Sequence, residues 1–157
     1  MNMSNDQPAV PSKRNQKKQL YLTFTASGHF ALESSVVIEV LEYKGAARIP
    51  GVPPCIAGIM NYHGAVIPAF DMRACFCNAG NPPTTLSPRR CVLIARHKST
   101  LLGLVVDSVG EFVTINPNTL APLPQAYAEN PRLFLRGIFT HNAKEILVVD
   151  VDALVSI

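Results

Sequence analysis

The residues best equipped for chemistry are four cysteines and four histidines. Cys75 and Cys77 form a Cys-x-Cys pair, Cys55 and Cys91 lie to either side, and His29, His63, His97 and His141 are scattered. A zinc site would show a Cys-x2-Cys pair with a second such pair, or with a His-x3-His, at finger spacing. Neither follows, so the cysteines read as small apolar residues and no metal is expected. Covalent catalysis asks for a Ser or Cys on a sharp turn, a His within reach and an acid to orient it. There is no Gly-x-Ser-x-Gly, and Ser108 in Asp107-Ser108-Val109-Gly110 lacks the leading glycine. Cys75 with His63 would make a nucleophile pair on paper only. A phosphate-binding loop and a Gly-x-Gly-x-x-Gly are both missing. There is no Trp, and aromatic residues are 7%, poor provision for stacking on bases or sugars. The expectation is a protein that is not an enzyme and has no cofactor.

Composition narrows the class further. At 157 residues and 48% hydrophobic, the chain is one ordinary domain or two very small ones. It can bury roughly 70% of its unfolded surface without a disulfide or a metal. Charged residues are only 16% against a usual value of about 25%, which suggests that part of the surface is hidden against partners. Lys13, Arg14, Lys17 and Lys18 against Asp6 account for the whole net charge of +3. The body over 20–157 is therefore neutral and lacks the clustered Lys/Arg of a nucleic-acid face. Residues 1–19 are polar, contain Pro8 and Pro11, and carry no apolar core of a secretory signal. They read as a disordered basic tail on a cytoplasmic protein with reduced thiols. No run approaches the roughly 18 apolar residues of a membrane span, so no direct membrane insertion is expected.

The elements that must position anything functional are short strands. Leu20–Thr25 alternates, Ser27-Gly28 turns, and Phe30–Leu32 returns. Val36–Leu41 is a β-branched run containing Glu39, and Ala47–Pro50 reads as an edge strand stopped by proline. Pro53–Gly58 reads as a single helical turn. Ile59–Tyr62 and Ala65–Phe70 flank His63-Gly64, a two-residue hairpin loop in which Gly64 supplies positive φ. Asp71 can cap a short helix to Phe76. After a turn-rich linker over 78–90 come Cys91–Arg96, Leu101–Asp107 and Phe112–Ile115. A proline-rich loop over 121–131 then leads to a last hairpin, Leu133–Thr140 with Glu145–Val151, and a short apolar terminal turn. About ten closely spaced strands indicate an all-β barrel or sandwich.

A weak repeat sharpens this. Gly58-Ile59 leads through a turn and an apolar strand to Asp71, and Gly137-Ile138 leads likewise to Asp150, each thirteen residues after its glycine. The hairpins near Leu22–Leu32 and Val92–Leu104 are also alike. Two copies of one small barrel are expected, split near 78–90, with strands free to cross between copies. Pattern and repeat together predict Leu22, Phe24, Ile38, Ile59, Ile67, Val92, Ile94, Val105, Ile138 and Leu147 to be largely buried.

These residues resemble a known family, the chemotaxis coupling proteins of the CheW type. Tyr21–Thr25 is similar to that family's opening strand. Arg48-Ile49-Pro50, Ile56, Gly58, Asn61, Gly64, Val66-Ile67-Pro68 and Asp71-x-Arg73 resemble its main signature. Gly103–Val109 resembles the second signature, and Leu135, Gly137-Ile138 and Ile146–Asp150 the closing hairpin. The resemblance covers residues 20 to 156. It implies an all-β fold with short helices: two SH3-like five-stranded barrels on a shared hydrophobic seam. It implies an adaptor between a CheA-type histidine kinase regulatory domain and the cytoplasmic tip of a chemoreceptor, held at receptor arrays on the inner face of the membrane. Carried over position by position, the receptor- or kinase-binding residues would be Glu39, Arg48, Asn61, His63, Gly64, Val66, Val106, Asp107 and Val109.

Two departures matter. The loops over 78–90 and 121–131 are rich in proline, which loosens any carry-over of contact residues there, and the hairpin tip differs. The family's Asn-Leu-Arg-Gly is here Asn61-Tyr62-His63-Gly64. The resemblance pairs that arginine with the glutamate falling at Glu39. His63 keeps hydrogen-bonding ability but loses the permanent, fork-shaped charge. The alternative this leaves open is a binding module repurposed for another signalling or motility partner.

Overall fold

The computed structural model describes residues 17–76, 89–125 and 134–156. The linker over 78–90, apart from Arg89 and Arg90, lies outside them, as do Cys77, residues 1–16 of the expected tail and part of the loop over 121–131. The order of elements is β1 (Gln19–Thr25), β2 (His29–Glu33), β3 (Val37–Glu42), β4 (Ile56–Tyr62), β5 (Ala65–Asp71), α1 (Met72–Phe76), β6 (Cys91–His97), β7 (Thr100–Val106), β8 (Ser108–Ile115), β9 (Leu135–His141), β10 (Lys144–Val149) and α2 (Val151–Val155).

The strands form two five-stranded sheets, β8-β1-β2-β10-β9 and β3-β6-β7-β5-β4. The chain begins the first sheet, completes the second, and returns to finish the first. The second half, β3 to β7, is therefore contiguous in sequence, and the first is split around it. The halves are nonetheless copies. β1–β2 and β6–β7 are the central hairpins, β10 joins β2 in parallel as β5 joins β7, and β8 lies outside β1 as β3 lies outside β6. Even the single bridges correspond, Ala47 to Ile59 and Ala121 to Ile138. The repeat read between Gly58–Asp71 and Gly137–Asp150 is β4–β5–α1 against β9–β10–α2.

The central hairpins are buried on both faces, which is why β6 and β7 carry near-continuous apolar runs. Val92 and Val105 face the interior of the second barrel, with Ile67, Ala69 and Ile94. Leu93 and Leu104 face the other way, into a seam shared with Leu22, Phe24, Phe30 and Leu32 of the first barrel. Tyr21, Ala31, Val113, Phe139, Ile146 and Val148 fill the first barrel. The shared seam is the largest of the three clusters, so the two barrels fold on one another.

Several expectations need correction. Ile38 is 45% exposed, because a bulge between Val37 and Glu39 and the edge position of β3 turn it outward. Ile59 and Leu147 are half-buried. Ile59 lies on edge strand β4, covered only by the Ala47 bridge, and Leu147 packs on the rim of the seam. The other seven named core residues are buried. Pro53–Gly58 is not a helical turn: a tight turn donates Ile56 N–H to Pro53 O at 3.0 Å, and β4 already begins at Ile56. Ala47–Pro50 contributes one bridge rather than a strand.

Candidate functional site

The second barrel closes by bringing its outer strands together. Glu39 stands on β3 at one edge of the sheet, and Tyr62 ends β4 at the other. Tyr62 Oη–H donates to Glu39 Oε1 at 2.9 Å. The first barrel repeats the device with different residues, since His141 at the end of β9 meets Glu111 of β8 at 2.9 Å. In each copy a carboxylate on one edge strand holds a ring from the other.

His63 follows Tyr62 at the hairpin tip, with φ +50°, and Gly64 has φ +84°. Two successive positive φ values are the signature of the two-residue turn that matches strand twist. Asn61 serves the turn directly, its Oδ1 accepting the Gly64 N–H at 3.2 Å. His63 Nε2 lies 3.8 Å from Glu39 Oε1, with its side chain 74% exposed. The structure thus brings Glu39, Asn61, His63 and Gly64 together. Tyr62, which the resemblance gave no reason to single out, makes the shorter contact with Glu39. Ile38 and Val40 flank Glu39 in sequence and are exposed, on a strand whose burial alternates residue by residue; Val66, 67% exposed, stands on the hairpin's return strand paired with Asn61. Arg48 is exposed on the segment between β3 and β4.

The hydrogen bond to Glu39 raises the Tyr62 phenol above its ordinary value, with burial and the Glu39 charge acting in the same direction. A raised folded value means that the stabilisation is complete below the unfolded tyrosine value and is lost as pH climbs through the folded one. Burial also raises Tyr21 and Tyr43, so ultraviolet titration should show these three tyrosines ionising late, and Glu39→Gln should bring one of them, Tyr62, back toward the usual range. A titration unchanged by that substitution would disprove the bond.

Val106, Asp107 and Val109 lie elsewhere, where β7 of the second barrel passes into β8 of the first. Val106 is fully buried in the seam and presents no surface. Asp107 is a clamp between barrels. Its N–H donates to Thr25 O at 2.8 Å, and its Oδ2 accepts the Ser27 N–H of the β1–β2 turn at 3.1 Å. Its Oδ1 accepts Arg73 Nε–H from α1 at 2.6 Å. Arg90 stands over the same group, 3.6 Å from Asp107 and paired through both Nη atoms with Asp71 at 2.8 and 3.1 Å. Arg73 is only 6% exposed. Val109 is half-buried at the seam's rim. Among the described residues, no three His, Cys, Asp or Glu side chains converge to hold a metal ion, and no helix is long and apolar enough to cross a membrane.

Two pseudo-symmetric barrels on one seam, with a polar cluster where the edge strands of the second meet, define a small double-barrel β-protein. Residues 20–157 match the model of the CheW-like domain. The chain is 26% identical over 148 residues to the probable chemotaxis protein CheW of Rhizobium etli, covering 94% of each. It is 26% identical to the chemotaxis protein CheW of Rhizobium meliloti, covering 89% of this chain and 88% of that one. The crystal structure of the scaffolding protein TtCheW from Thermoanaerobacter tengcongensis superposes with a TM-score of 0.71 at 27% identity, over 85% of this chain and 89% of that one. The chain belongs to the CheW-like domain family, and its function is that of an adaptor in chemotaxis signalling.

Proposed function

We propose that the protein is a non-catalytic adaptor in the cytoplasm that joins the regulatory domain of a CheA-type histidine kinase to the cytoplasmic tip of a chemoreceptor, at arrays beneath the membrane. The observation that carries this reading is the edge of the second barrel. There Ile38, Val40 and Val66 remain exposed, in a chain with few charges. Exposed apolar side chains bordered by polar groups such as Asn61 and His63 suit a protein-binding surface. Substituting Val40→Lys and Val66→Lys on this surface should lower affinity for the receptor tip or for the kinase domain at least tenfold while leaving the fold intact by circular dichroism. Unchanged affinity for both partners would reject the assignment of this edge. Failure of the unaltered protein to retain either partner would favour the repurposed module, a reading supported by His63 standing where the family has arginine.

His63 carries charge only when protonated. His63→Arg would make the charge facing Glu39 permanent, and an exposed pair of this kind is worth at most about 1 kcal/mol, so affinity for the receptor tip should rise severalfold at most. Unchanged affinity would show that the pair plays no part in binding.

A further inference from the structure

Cys55 and Cys75 are not explained by scaffolding, and the fold brings them together. Cys55 ends the tight turn before β4, and its carbonyl oxygen accepts the Asp71 N–H at 2.8 Å. That bond extends the β4–β5 ladder by one step, so Cys55 lies beside the residue at which β5 passes into α1. Cys75 is one helical turn past Asp71. Side chains on a helix lean toward its N-terminus, so Cys75 points back over Asp71 toward Cys55. Its Sγ lies 3.7 Å from Cys55 O. Both are free thiols, Cys75 buried and Cys55 half-buried. A small oxidant therefore reaches Cys55 first.

We propose that Cys55 and Cys75 form a thiol-modification site, closing to a reversible disulfide when the protein meets a hydroperoxide. The Cys55 thiolate attacks the peroxide. An S–O bond forms, the O–O bond breaks, and water leaves with hydrogen peroxide, or an alcohol with an organic hydroperoxide. Cys75 sulfur then attacks the resulting Cys55 sulfenic acid. The S–S bond forms, the S–O bond breaks, and a second water carries away the Cys75 proton. The two thiols are oxidised by two electrons in all and the peroxide is reduced by two. Burial pushes the Cys75 thiol up, so it stays protonated at neutral pH and acts second, as the resolving thiol. The bond would tie the start of β4 to α1, next to the Asp71–Arg90 pair and the Arg73–Asp107 clamp.

The test uses the reduced full-length chain and hydrogen peroxide at near-equimolar amounts, with remaining thiols then blocked by N-ethylmaleimide. Chymotrypsin cleaves after Phe76 and so separates Cys75 from Cys77 before mass spectrometry. The expected result is a peptide pair joining Cys55 to Cys75 in most chains, abolished by dithiothreitol and absent from Cys75→Ser. The oxidised chain should also melt a few degrees higher than the reduced one, reversibly. Four alkylated cysteines, over-oxidised Cys55 without a cross-link, or a dominant bond to Cys77 or Cys91 would each overturn the proposal.

Discussion

Asp107→Ala should destabilise the protein by about 3–5 kcal/mol, the cost of removing one partner from a buried ion pair. Its melting temperature should fall by on the order of 10 °C. The carboxylate holds the β1–β2 turn of one barrel through Ser27 and α1 of the other through Arg73. Without it the Arg73 guanidinium, already with one buried Nη1 that has no hydrogen-bond partner among the described residues, is left buried and uncompensated. The loss comes from that stranded charge more than from the missing bonds. The double variant Arg73→Met with Asp107→Asn should therefore recover much of the stability. Urea unfolding of the three proteins measures this. A loss below about 1 kcal/mol for Asp107→Ala, in the range of a surface pair, would show that the crossover is not a clamp.

Gly58→Ala should cost about 3 kcal/mol or more, whereas its repeat mate Gly137→Ala should cost clearly less. At Gly58 the backbone has φ +148°, and an added Cβ would stand 2.1 Å from the Ala47 carbonyl oxygen and 2.7 Å from its carbon. Those atoms belong to the bridge that closes the second barrel, and backbone cannot step aside as a side chain can. At Gly137 the nearest approach is 3.0 Å, to Ala121 O, and φ is not positive, so a small shift suffices. Chemical unfolding of both variants compares them within one fold. Equal costs would mean that the bridges do not close the barrels in the way described.

The hairpins were legible because their information is local. Alternation marks β1 and β2, and His63-Gly64 announces its own turn. The repeat was legible because a glycine that admits a neighbouring backbone and an aspartate that caps a short helix recur at one spacing. What stayed hidden depends on partners distant in sequence. Ile38 looks like core in a run of apolar residues, and only the bulge against β6 turns it outward. Val106 and Asp107 came with the binding residues carried over from the resemblance, because a matching motif cannot separate residues that bind partners from residues that hold the frame. Arg90 sat at the end of a linker and gave no sign that it would meet Asp71 of another strand. Tyr62 was overlooked because the resemblance directed attention to the histidine beside it. Yet a tyrosine at the end of a strand that faces a carboxylate across a closing barrel is a readable signal once the closure is known.

The central claim, that this chain couples receptor state to kinase activity, is tested most directly by reconstitution. Receptor in membranes and the CheA-type kinase are combined with and without the protein, and kinase autophosphorylation is followed as receptor ligand is added. The account predicts that the kinase rate responds to ligand only when the protein is present, and that the double variant Val40→Lys with Val66→Lys restores little or none of the response. A kinase rate that ignores ligand equally with and without the unaltered protein would contradict it.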